Sequence, residues 1–382
     1  MAREPTYRAA RTAAKTVESH FARHYALARD SGELESDLAP APDACTIEAI
    51  IDATFWASFR PEEGRFPKIS LAFLPPEQAG HPLMFETRLP VSSDILTKLA
   101  PAVERPGVHL GVWHEGNDLY VWGATRTIPS LGFVLEDVEP GLLVIKHRRI
   151  DGFGKFVNVA VLKGEQTKII DEEAASLPEC PDLLDSLRAF TAPATWDSSV
   201  NVLVQLAASM RAHGHGGTLL VVPSGTHGWK ESIVHPILYS VTPFFSNLAN
   251  LIKSRPELDD ESSWLASLSN AVETVAGLTA VDGATIMSDA YEVLAFGAKI
   301  KRAPGRQQVE QMMLTEPIVG NQPIIVPPVQ TGGTRHLSAA QFIYDQRDSV
   351  ALVASQDGRF TVMAWSPCEQ MVHAHRVDVL LM

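Results

Sequence analysis

The sequence predicts an α/β (α+β) protein, with a β-rich α+β domain at the N-terminus and a mixed β-sheet flanked by helices at the C-terminus. Before residue 170, short runs rich in β-branched and aromatic residues are separated by Gly, Pro, Asn and Asp, as strands and their turns are. After residue 200, apolar residues recur at helical spacing beside short apolar runs, which indicates helices next to buried strands. A chain of 382 residues has room for two domains of common size.

The N-terminal domain, residues 1–185, begins with a segment that alternates charge with alanine and predicts an amphipathic helix. We interpret it as a solvated surface helix, with contact to a membrane or a partner as the alternative. An acidic, proline-containing joint follows, and then a mostly antiparallel sheet with a few helices. The turn 115–118 joins two of its strands as a hairpin does. The predicted strands are 68–74, 108–114, 119–122, 142–147 and 156–162.

The C-terminal domain, residues 198–382, follows a boundary between residues 174 and 197, where prolines bracket a short helical stretch. Asp260 is placed to cap one of its helices at the N-terminus. The predicted elements are a helix within 200–217, a strand at 218–222, and helices at 234–252 and 261–278.

Composition and charge exclude several classes of protein. No run approaches the roughly 18 uncharged apolar residues of a membrane span, and the start has no apolar signal core, so we expect a cytoplasmic protein without a membrane span. The net charge of −13 gives little long-range attraction to a nucleic acid polymer. The cysteines, Cys45, Cys180 and Cys368, are far apart, so we expect a reducing compartment and neither a metal knuckle nor a disulfide framework.

Three segments of the C-terminal domain combine residues that suit phosphate chemistry. Residues 281–287 and 292–297 read as a hairpin with Asp282 at its mouth. Residues 332–340 read as a glycine turn that opens a helix, and 349–355 as a strand that turns and returns at 359–365. We expect the three segments to act together.

The residue types in these segments fit a bound triphosphate. A carboxylate at a strand end, here Asp282, can hold Mg²⁺ or Mn²⁺ against phosphate oxygens, and Gly283 lets a ligand approach the backbone. The N–H groups at a helix start bind phosphate, while Arg335 adds a charge-assisted fork and Thr334 and His336 donate further bonds.

The order of Asp282-Gly283-Ala284 and then 333–336 (GTRH) resembles the DGA and RHR signatures of the diadenylate cyclase (DAC) domain, over about residues 198–370. The resemblance implies a DAC-like fold and an enzyme that condenses two ATP molecules into cyclic di-AMP with Mg²⁺ or Mn²⁺. It also implies a homodimer or larger homo-oligomer, because two ATP sites must face each other. The residues it implies are Asp282, Arg335 and His336 for catalysis, Asp282 for the metal, and Gly283, Ala284, Gly333, Thr334, Ser338, Ser355 and Gln356 for the nucleotide.

Two positions depart from the DAC pattern. The third residue of the RHR signature is Leu337, so one cation is missing, and Gln356 stands where some members carry a carboxylate, with Asp357 adjacent. An insertion at about 303–331 separates the two signatures. It has Arg302 and Arg306 nearby, and could supply the missing cation or act as a lid.

The N-terminal half resembles the DACNV sensor domain that precedes certain DAC domains. The resemblance depends on general layout and on the stretches 119–136 and 153–162. It implies an input module that controls the second domain in response to an unknown signal.

Other interpretations stay open beside this one. The protein is alternatively a catalytically inactive DAC-like sensor that binds a nucleotide, or an interaction protein without a ligand. Asp282-Gly283 is alternatively a plain turn, and 332–334 a loop with an N-cap. Residues 223–229 read as a loop that borders the adenine, in which Trp229 stacks or packs. Several histidines suggest zinc but lack suitable spacing, and we interpret them as solvated or cap-bonding: His213, His215, His227, His235, His373 and His375.

Overall fold

A computed structural model describes residues 5–32, 37–116, 118–150, 156–173, 175, 177–187, 201–254 and 261–382, the side chains of 261 and 262 excepted. The chain divides into two compact units, residues 1–170 with Met382, and residues 171–381. The predicted turn residue Asn117, the predicted cap Asp260 and half of the predicted domain boundary lie outside the described residues. No described helix has the length and apolar character of a membrane span.

In the first unit, the part of the chain that the structure describes combines three α-helices with one eight-stranded sheet. The helices are α1 (Arg8–Asp30), α2 (Ala44–Ser58) and α3 (Ser93–Val103). The strands are β1 (Ser70–Phe73), β2 (Leu83–Pro90), β3 (His109–Glu115), β4 (Asp118–Thr125), β5 (Phe133–Glu139), β6 (Leu142–Arg148), β7 (Phe156–Lys163) and β8 (Gln166–Ile169).

The sheet of the first unit is antiparallel apart from one pair of strands. Its order is β2-β4-β3-β1-β5-β6-β7-β8, and only β1 and β3 run parallel among the described pairs. All five predicted strands are present, as β1, β3, β4, β6 and β7, and the predicted hairpin joins β3 to β4. The β-rich α+β prediction for this part of the chain is confirmed.

Helix α1 differs from the predicted solvated helix. Its apolar side enters the core of the first unit, where Val17 and Phe21 are fully buried beside residues of α2 and the sheet. The small alanine side chains allow close packing, since Ala10, Ala13 and Ala14 are almost completely buried. The opposite face, with Lys15 and Arg11, is exposed.

The described residues of the second unit form five α-helices and a nine-stranded sheet. The helices are α4 (Pro181–Leu187), α5 (Val202–Ala212), α6 (Asn247–Lys253), α7 (Glu261–Leu278) and α8 (Thr334–Asp345). The strands are β9 (Gly217–Val222), β10 (Tyr239–Phe245), β11 (Ala284–Ser288), β12 (Val293–Ala298), β13 (Met312–Thr315), β14 (Ile324–Val326), β15 (Val350–Ala354), β16 (Phe360–Ser366) and β17 (Met371–Arg376).

This second sheet is mixed and lies between helices, as predicted. Its order is β10-β12-β11-β9-β15-β16-β17-β13-β14, with β9 parallel to β11 and β13 parallel to β17. Helix α8 shares a buried cluster with Leu220, Ile286 and Val353 of the central strands. Helices α5 and α7 pack on each other and contact β15 and β12, respectively.

One predicted helix is wrong. Residues 234–252 form strand β10 and the short helix α6 instead. Pro236 and Pro243 explain the difference, because proline removes a backbone donor and clashes with the preceding helical turn. Strand β10 lies at the edge of the sheet, where Pro243 is tolerated.

The insertion at 303–331 extends the sheet. Strand β13 pairs with β17, and β14 pairs with β13 to form the outer edge. The expectation that this segment acts as a lid is therefore wrong for the part that forms strands.

A disulfide in the second unit corrects the expectation that the cysteines are unpaired. Cys180 and Cys368 are bonded, with Cα atoms 5.9 Å apart, and Cys45 is free and exposed. Cys180 precedes α4, which packs on β16, and the N–H of Asp171 donates to the carbonyl of Pro317. The described residues within 171–185, which we assigned to the N-terminal domain, therefore belong to the second unit.

Candidate functional site

The predicted site residues lie at one end of the second sheet. Strands β9 and β11 begin side by side there, with Ala284 opposite Thr218. Strand β15 ends at the same place, because Ala354 pairs with both Gly217 and Phe360, and Phe360 begins β16. Strand β17 ends there as well, at Arg376. We call this end, where β9, β11 and β16 begin and β15 and β17 end, the candidate edge.

Asp282 lies at the candidate edge, just before β11. Its side chain is exposed and has no hydrogen-bond or ion-pair partner within the described part of the chain. A free carboxylate at a strand end is a hard oxygen donor of the kind that Mg²⁺ and Mn²⁺ prefer. The residue therefore fits the predicted metal ligand in type and accessibility.

Gly283 and Ala284 have a different environment from the one expected for ligand contacts. Gly283 has a φ of +110°, and a Cβ atom there would lie 2.5 Å from the carbonyl carbon of Gly297 on β12. Ala284 is buried in the core. The glycine is therefore required by the close approach of two strands, and the small alanine by core packing.

Helix α8 begins at the candidate edge with Gly333 as its N-cap, and the cap has no side-chain hydrogen bond. The N–H groups of Thr334 and Arg335 have no acceptor among the described residues. Such donors, together with the helix dipole, attract anions. The hydroxyl of Ser338 donates to the carbonyl of Thr334 at 2.7 Å, so it is satisfied within the helix.

Arg335 lies against the start of β9. A Cβ atom at Gly216 would be 3.1 Å from its Nη1 atom and 3.3 Å from Cγ of Gln356. The guanidinium has no hydrogen-bond or ion-pair partner in the described ranges. Arg335 therefore lies where β9 and β15 meet, and β11, which Asp282 precedes, is the strand on the other side of β9. The structure thus brings the carboxylate and the guanidinium to the same exposed edge.

His336 is the predicted residue that points away from the edge. It is 1% exposed, and its Nε2 atom lies 3.3 Å from Oγ1 of Thr361 on β16. Burial, and then the charge of Arg376, lower the pKa of His336 to about 4. The imidazole is therefore neutral near pH 7 and supports the first turn of α8 from beneath.

Ser355 and Gln356 follow β15 at the candidate edge. Gln356 is exposed, and its Nε2 atom donates to the carbonyl of His215 at 3.3 Å. The adjacent Asp357 is partly desolvated, which opposes ionisation, but bonds from Ser355 and from the N–H of Arg359 lower its pKa overall. Asp357 also pairs with Arg359 at 3.4 Å.

The insertion does not supply the missing cation. Arg302 and Arg306 act on Asp345, whose pKa is raised by burial and lowered in part by these two charges. Asp345 is the last residue of α8, ten residues after Arg335, or about 15 Å along a helix. The two arginines thus lie at the wrong end of α8.

Two other arginines are close to the start of α8, and no sequence motif indicates them. Arg359 precedes β16 and Arg376 ends β17, and both charges lower the pKa of His336. Their sequence positions carry no motif. Only the strand register brings them to the candidate edge.

The histidines considered for zinc have structural partners. His213 is the C-terminal cap residue of α5, and its Nδ1 atom accepts from the N–H of His215, as the cap-bonding interpretation predicts. His373 and His375 are not solvated, since both are fully buried. Each contacts the hydroxyl of Thr315, at 2.7 and 2.8 Å respectively.

The loop 223–229 lies at the opposite end of β9 from the candidate edge. Trp229 is 5% exposed and donates to the carbonyl of Thr226 at 3.2 Å, so it packs instead of stacking on a ligand. The loop borders a cavity of about 290 Å³ together with residues of β10 and β12. The expectation that this loop borders a base bound at Asp282 and Arg335 is therefore wrong.

Comparison with known families finds one match. Residues 36–126 match the family described as "Probable sensor domain DACNV". The match includes the beginning of the stretch 119–136 and ends before 153–162, on which the resemblance also depended. No curated protein matches the chain.

Two solved structures are similar to parts of the chain. One is a hypothetical membrane spanning protein from Bacillus cereus, with 13% identity, 45% of this chain and 61% of that chain covered, and a TM-score of 0.27. The other is a double cysteine mutant of DacA from Staphylococcus aureus, with 13% identity, 46% and 83% covered, and a TM-score of 0.22. The first match thus spans less than two thirds of the other chain's length. TM-scores this low carry no argument about function.

Proposed function

We propose that the second unit binds ATP at the candidate edge and condenses two ATP molecules into cyclic di-AMP under the control of the first unit. One observation carries the proposal. Asp282 and Arg335 are 53 residues apart in the sequence, yet both lie at the candidate edge, Asp282 just before β11 and Arg335 against the start of the adjacent strand β9. A carboxylate and a guanidinium at the same end of a sheet, neither with a partner among the described residues, are suited to a ligand that carries phosphates and a metal ion.

Each group at the edge has a role in binding the triphosphate. Arg335 donates a fork of hydrogen bonds to phosphate oxygens, and the free N–H groups at the start of α8 add further donors. Asp282 would hold Mg²⁺ or Mn²⁺, which supplies charge neutralisation at the phosphates when bound. His336 is a positioning residue in this arrangement, because its neutral ring fixes the first turn of α8 against β16.

Leu337 stands where the signature has a cation, and Arg376 is best placed to supply that missing positive charge. Its charge acts on His336, and among the described residues its Nε atom is buried without a hydrogen-bond partner. Leu337 itself packs against the core cluster of the second unit. A phosphate near the start of α8 would therefore draw on Arg335 and Arg376 from two separate elements.

The reaction needs two copies of the site. The 3′-hydroxyl of one ATP attacks the α-phosphorus of the other, pyrophosphate leaves, and the hydroxyl proton passes to solvent. The remaining 3′-hydroxyl then attacks the α-phosphorus of the first nucleotide in the same way, and the ring closes as a second pyrophosphate leaves. Because each edge holds one ATP, two protomers must face each other, and the active form is a homodimer or a larger homo-oligomer.

The match of residues 36–126 to a probable sensor domain supports a regulatory role for the first unit. Such a role would place signal recognition and chemistry on separate units of one chain. The signal itself is unknown.

The deciding experiment is product analysis with the full-length protein, ATP and either Mn²⁺ or Mg²⁺. We expect cyclic di-AMP from the wild type, and a loss of rate of about 100-fold or more for both Asp282→Asn and Arg335→Ala, because each removes a preorganised charge at the phosphates. Asp348→Asn is the matched control, since this aspartate is exposed beyond the far end of α8. A wild type that binds ATP but forms no cyclic dinucleotide at any oligomeric state would reject catalysis.

A second candidate function is a nucleotide sensor without catalysis, which the environments of Leu337 and Gln356 favour. Leu337 contributes packing and Gln356 bonds to the carbonyl of His215, so neither supplies a charge. Calorimetry with ATP and cyclic dinucleotides tests it. Binding that is lost in Arg335→Ala but insensitive to metal would favour the sensor. Nucleotide affinity unchanged in both Asp282→Asn and Arg335→Ala would favour an interaction protein.

A further inference from the structure

Three histidines of the first unit converge on one point that the proposed function does not involve. His20 and His24 belong to α1, and His147 belongs to β6. One ring nitrogen from each lies within 4.8 Å of those of the other two. The ring centroids are 4.3 Å apart for His20 and His24, 5.4 Å for His20 and His147, and 5.0 Å for His24 and His147.

The fold explains why these rings meet. Residues four apart on a helix lie on one face, so His20 and His24 are neighbours on successive turns of α1. Phe21 anchors this part of the helix in the core and contacts the ring of His147 edge-on, with centroids 6.1 Å apart. His147 is next to last in β6 and only 5% exposed.

The tautomer of His147 suits a metal ligand. Its Nδ1 atom lies 3.1 Å from the carbonyl oxygen of Arg148. Because a carbonyl can only accept, Nδ1 carries the proton and the neutral ring has its lone pair on Nε2. This backbone bond to the second ring nitrogen is the usual way in which proteins orient histidine ligands. The guanidinium of Arg148 is also engaged, since it donates to the carbonyl of Ile128.

The geometry is close to that of a tetrahedral site. With metal–nitrogen bonds of about 2.0 to 2.1 Å, ligand nitrogens in such a site are about 3.4 Å apart. The nitrogens here lie within 4.8 Å, so small rotations of the side chains would close the site. Three neutral imidazoles favour zinc and similar transition metals over Mg²⁺ or Ca²⁺, which prefer oxygen.

We propose that His20, His24 and His147 form a binding site for a divalent transition metal of the zinc class in the first unit. The residue pattern has a physical basis, since a helical pair at i and i+4 is a common half of a zinc site and the strand supplies the third ligand. All three residues lie outside the match at 36–126. The proposal therefore concerns a part of the unit that the match does not describe.

The test uses untagged full-length protein, freed of metal by a chelator and titrated with Zn²⁺ in a calorimeter. We expect one tightly bound equivalent in the wild type. His24→Ala should weaken it by about 100-fold or more, because loss of a ligand costs at least as much as loss of an outer partner. His24 is chosen because it is only half-buried, so its replacement disturbs the core least. His81→Ala, an exposed histidine of the same unit, is the control and should leave the affinity unchanged.

Co²⁺ substitution gives a second, independent measurement. Tetrahedral nitrogen coordination gives strong visible absorption, which we expect in the wild type and in His81→Ala but not in His24→Ala or His20→Ala. The proposal is overturned if the metal-free wild type binds no Zn²⁺ at micromolar concentration. It is equally overturned if His24→Ala, with a wild-type circular dichroism spectrum, retains the affinity and the Co²⁺ absorption.

Discussion

Asp282 and Arg335 are the two charged side chains of the second unit on which the proposed chemistry depends. Charged residues without partners are ordinary on a protein surface, so neither is informative alone. Their position at the same end of one sheet, beside an uncapped helix start, is what distinguishes them. The neighbouring residues pack around these two side chains. Their packing allows predictions for substitutions of single residues.

Gly283→Ala should destabilise the second unit even without any ligand. The added Cβ would lie 2.5 Å from the carbonyl carbon of Gly297, at a φ of +110°. Overpacking and backbone strain together cost roughly 2 to 4 kcal/mol, measurable as a lower free energy of unfolding in urea.

Gly305→Ala is the matched control for Gly283→Ala. Gly305 also has a positive φ, +75°, but a Cβ there would meet no atom within 4 Å. Its cost should be about 1 kcal/mol, from backbone strain alone. Equal losses in the two variants would show that the contact with Gly297 is unimportant.

Buried histidines should make the second unit sensitive to acid. Burial is the first cause that lowers the pKa to about 4 for His336 and His373 and about 3 for His375, against about 6.5 in an unfolded chain. Between the folded and unfolded pKa values, the unfolded state binds more protons than the folded state. The contribution of these histidines to the free energy of unfolding is therefore fully present above about pH 6.5 and is lost as the pH falls towards 4. We expect a loss of about 1 to 2 kcal/mol for each histidine by pH 5.

Proton NMR titration of the ring signals measures this directly. The charged groups near His336 are Arg376, Arg359 and Asp357, and the two arginines act in the same direction as burial. A titration midpoint near 6.5 for His336 would contradict its buried position.

At the scale of elements, α8 contributes both to the core and to the proposed site. Its buried face, with Ala339, Phe342 and Ile343, belongs to the core of the second unit. Its start remains uncapped by side chains at the candidate edge. Leu337, in the first turn, is partly buried and packs against the same cluster.

Helix α4 is attached to the second sheet by the bond between Cys180 and Cys368, which closes a loop of 188 residues. Reduction should therefore lower the free energy of unfolding of the second unit by about 2 to 4 kcal/mol. Urea unfolding with and without a phosphine reductant measures the change.

Two cysteine variants identify the source of that effect. Cys368→Ser should unfold at the same urea concentration with and without reductant. Cys45→Ser, which removes the free cysteine, should keep the wild-type response to reductant. If the wild type itself does not respond, the disulfide contributes nothing to stability.

At the scale of the whole molecule, the proposed function predicts activity that depends on assembly. Each edge binds one ATP while the product contains two nucleotides, so specific activity should rise with protein concentration until the assembly is complete. Rate measurements across a dilution series, compared with molar mass by light scattering, test this. A specific activity that is constant while the protein dissociates to monomers would contradict the two-site reaction.

Much of the fold could be predicted because strands and helices reflect local patterns. The five predicted strands of the first unit are present, and α7 spans the predicted residues 261–278. The glycine turn before Thr334 correctly indicated where α8 begins. The prediction for 234–252 failed because its apolar spacing suits a helix while Pro236 and Pro243 oppose one, and the sheet edge decided the outcome.

The sequence by itself determined the fold class and most of its elements, and it indicated the residue types of the proposed phosphate site, because these follow from neighbours along the chain. Only the tertiary structure decided that Asp282 and Arg335 share an edge, that His336 is buried, and that Arg376 lies close to it. The disulfide and the histidine cluster of the first unit were decided in the same way. The physical reason is that strand register and core packing join residues many positions apart. The periodicity of a sequence does not show which of these distant residues will contact each other.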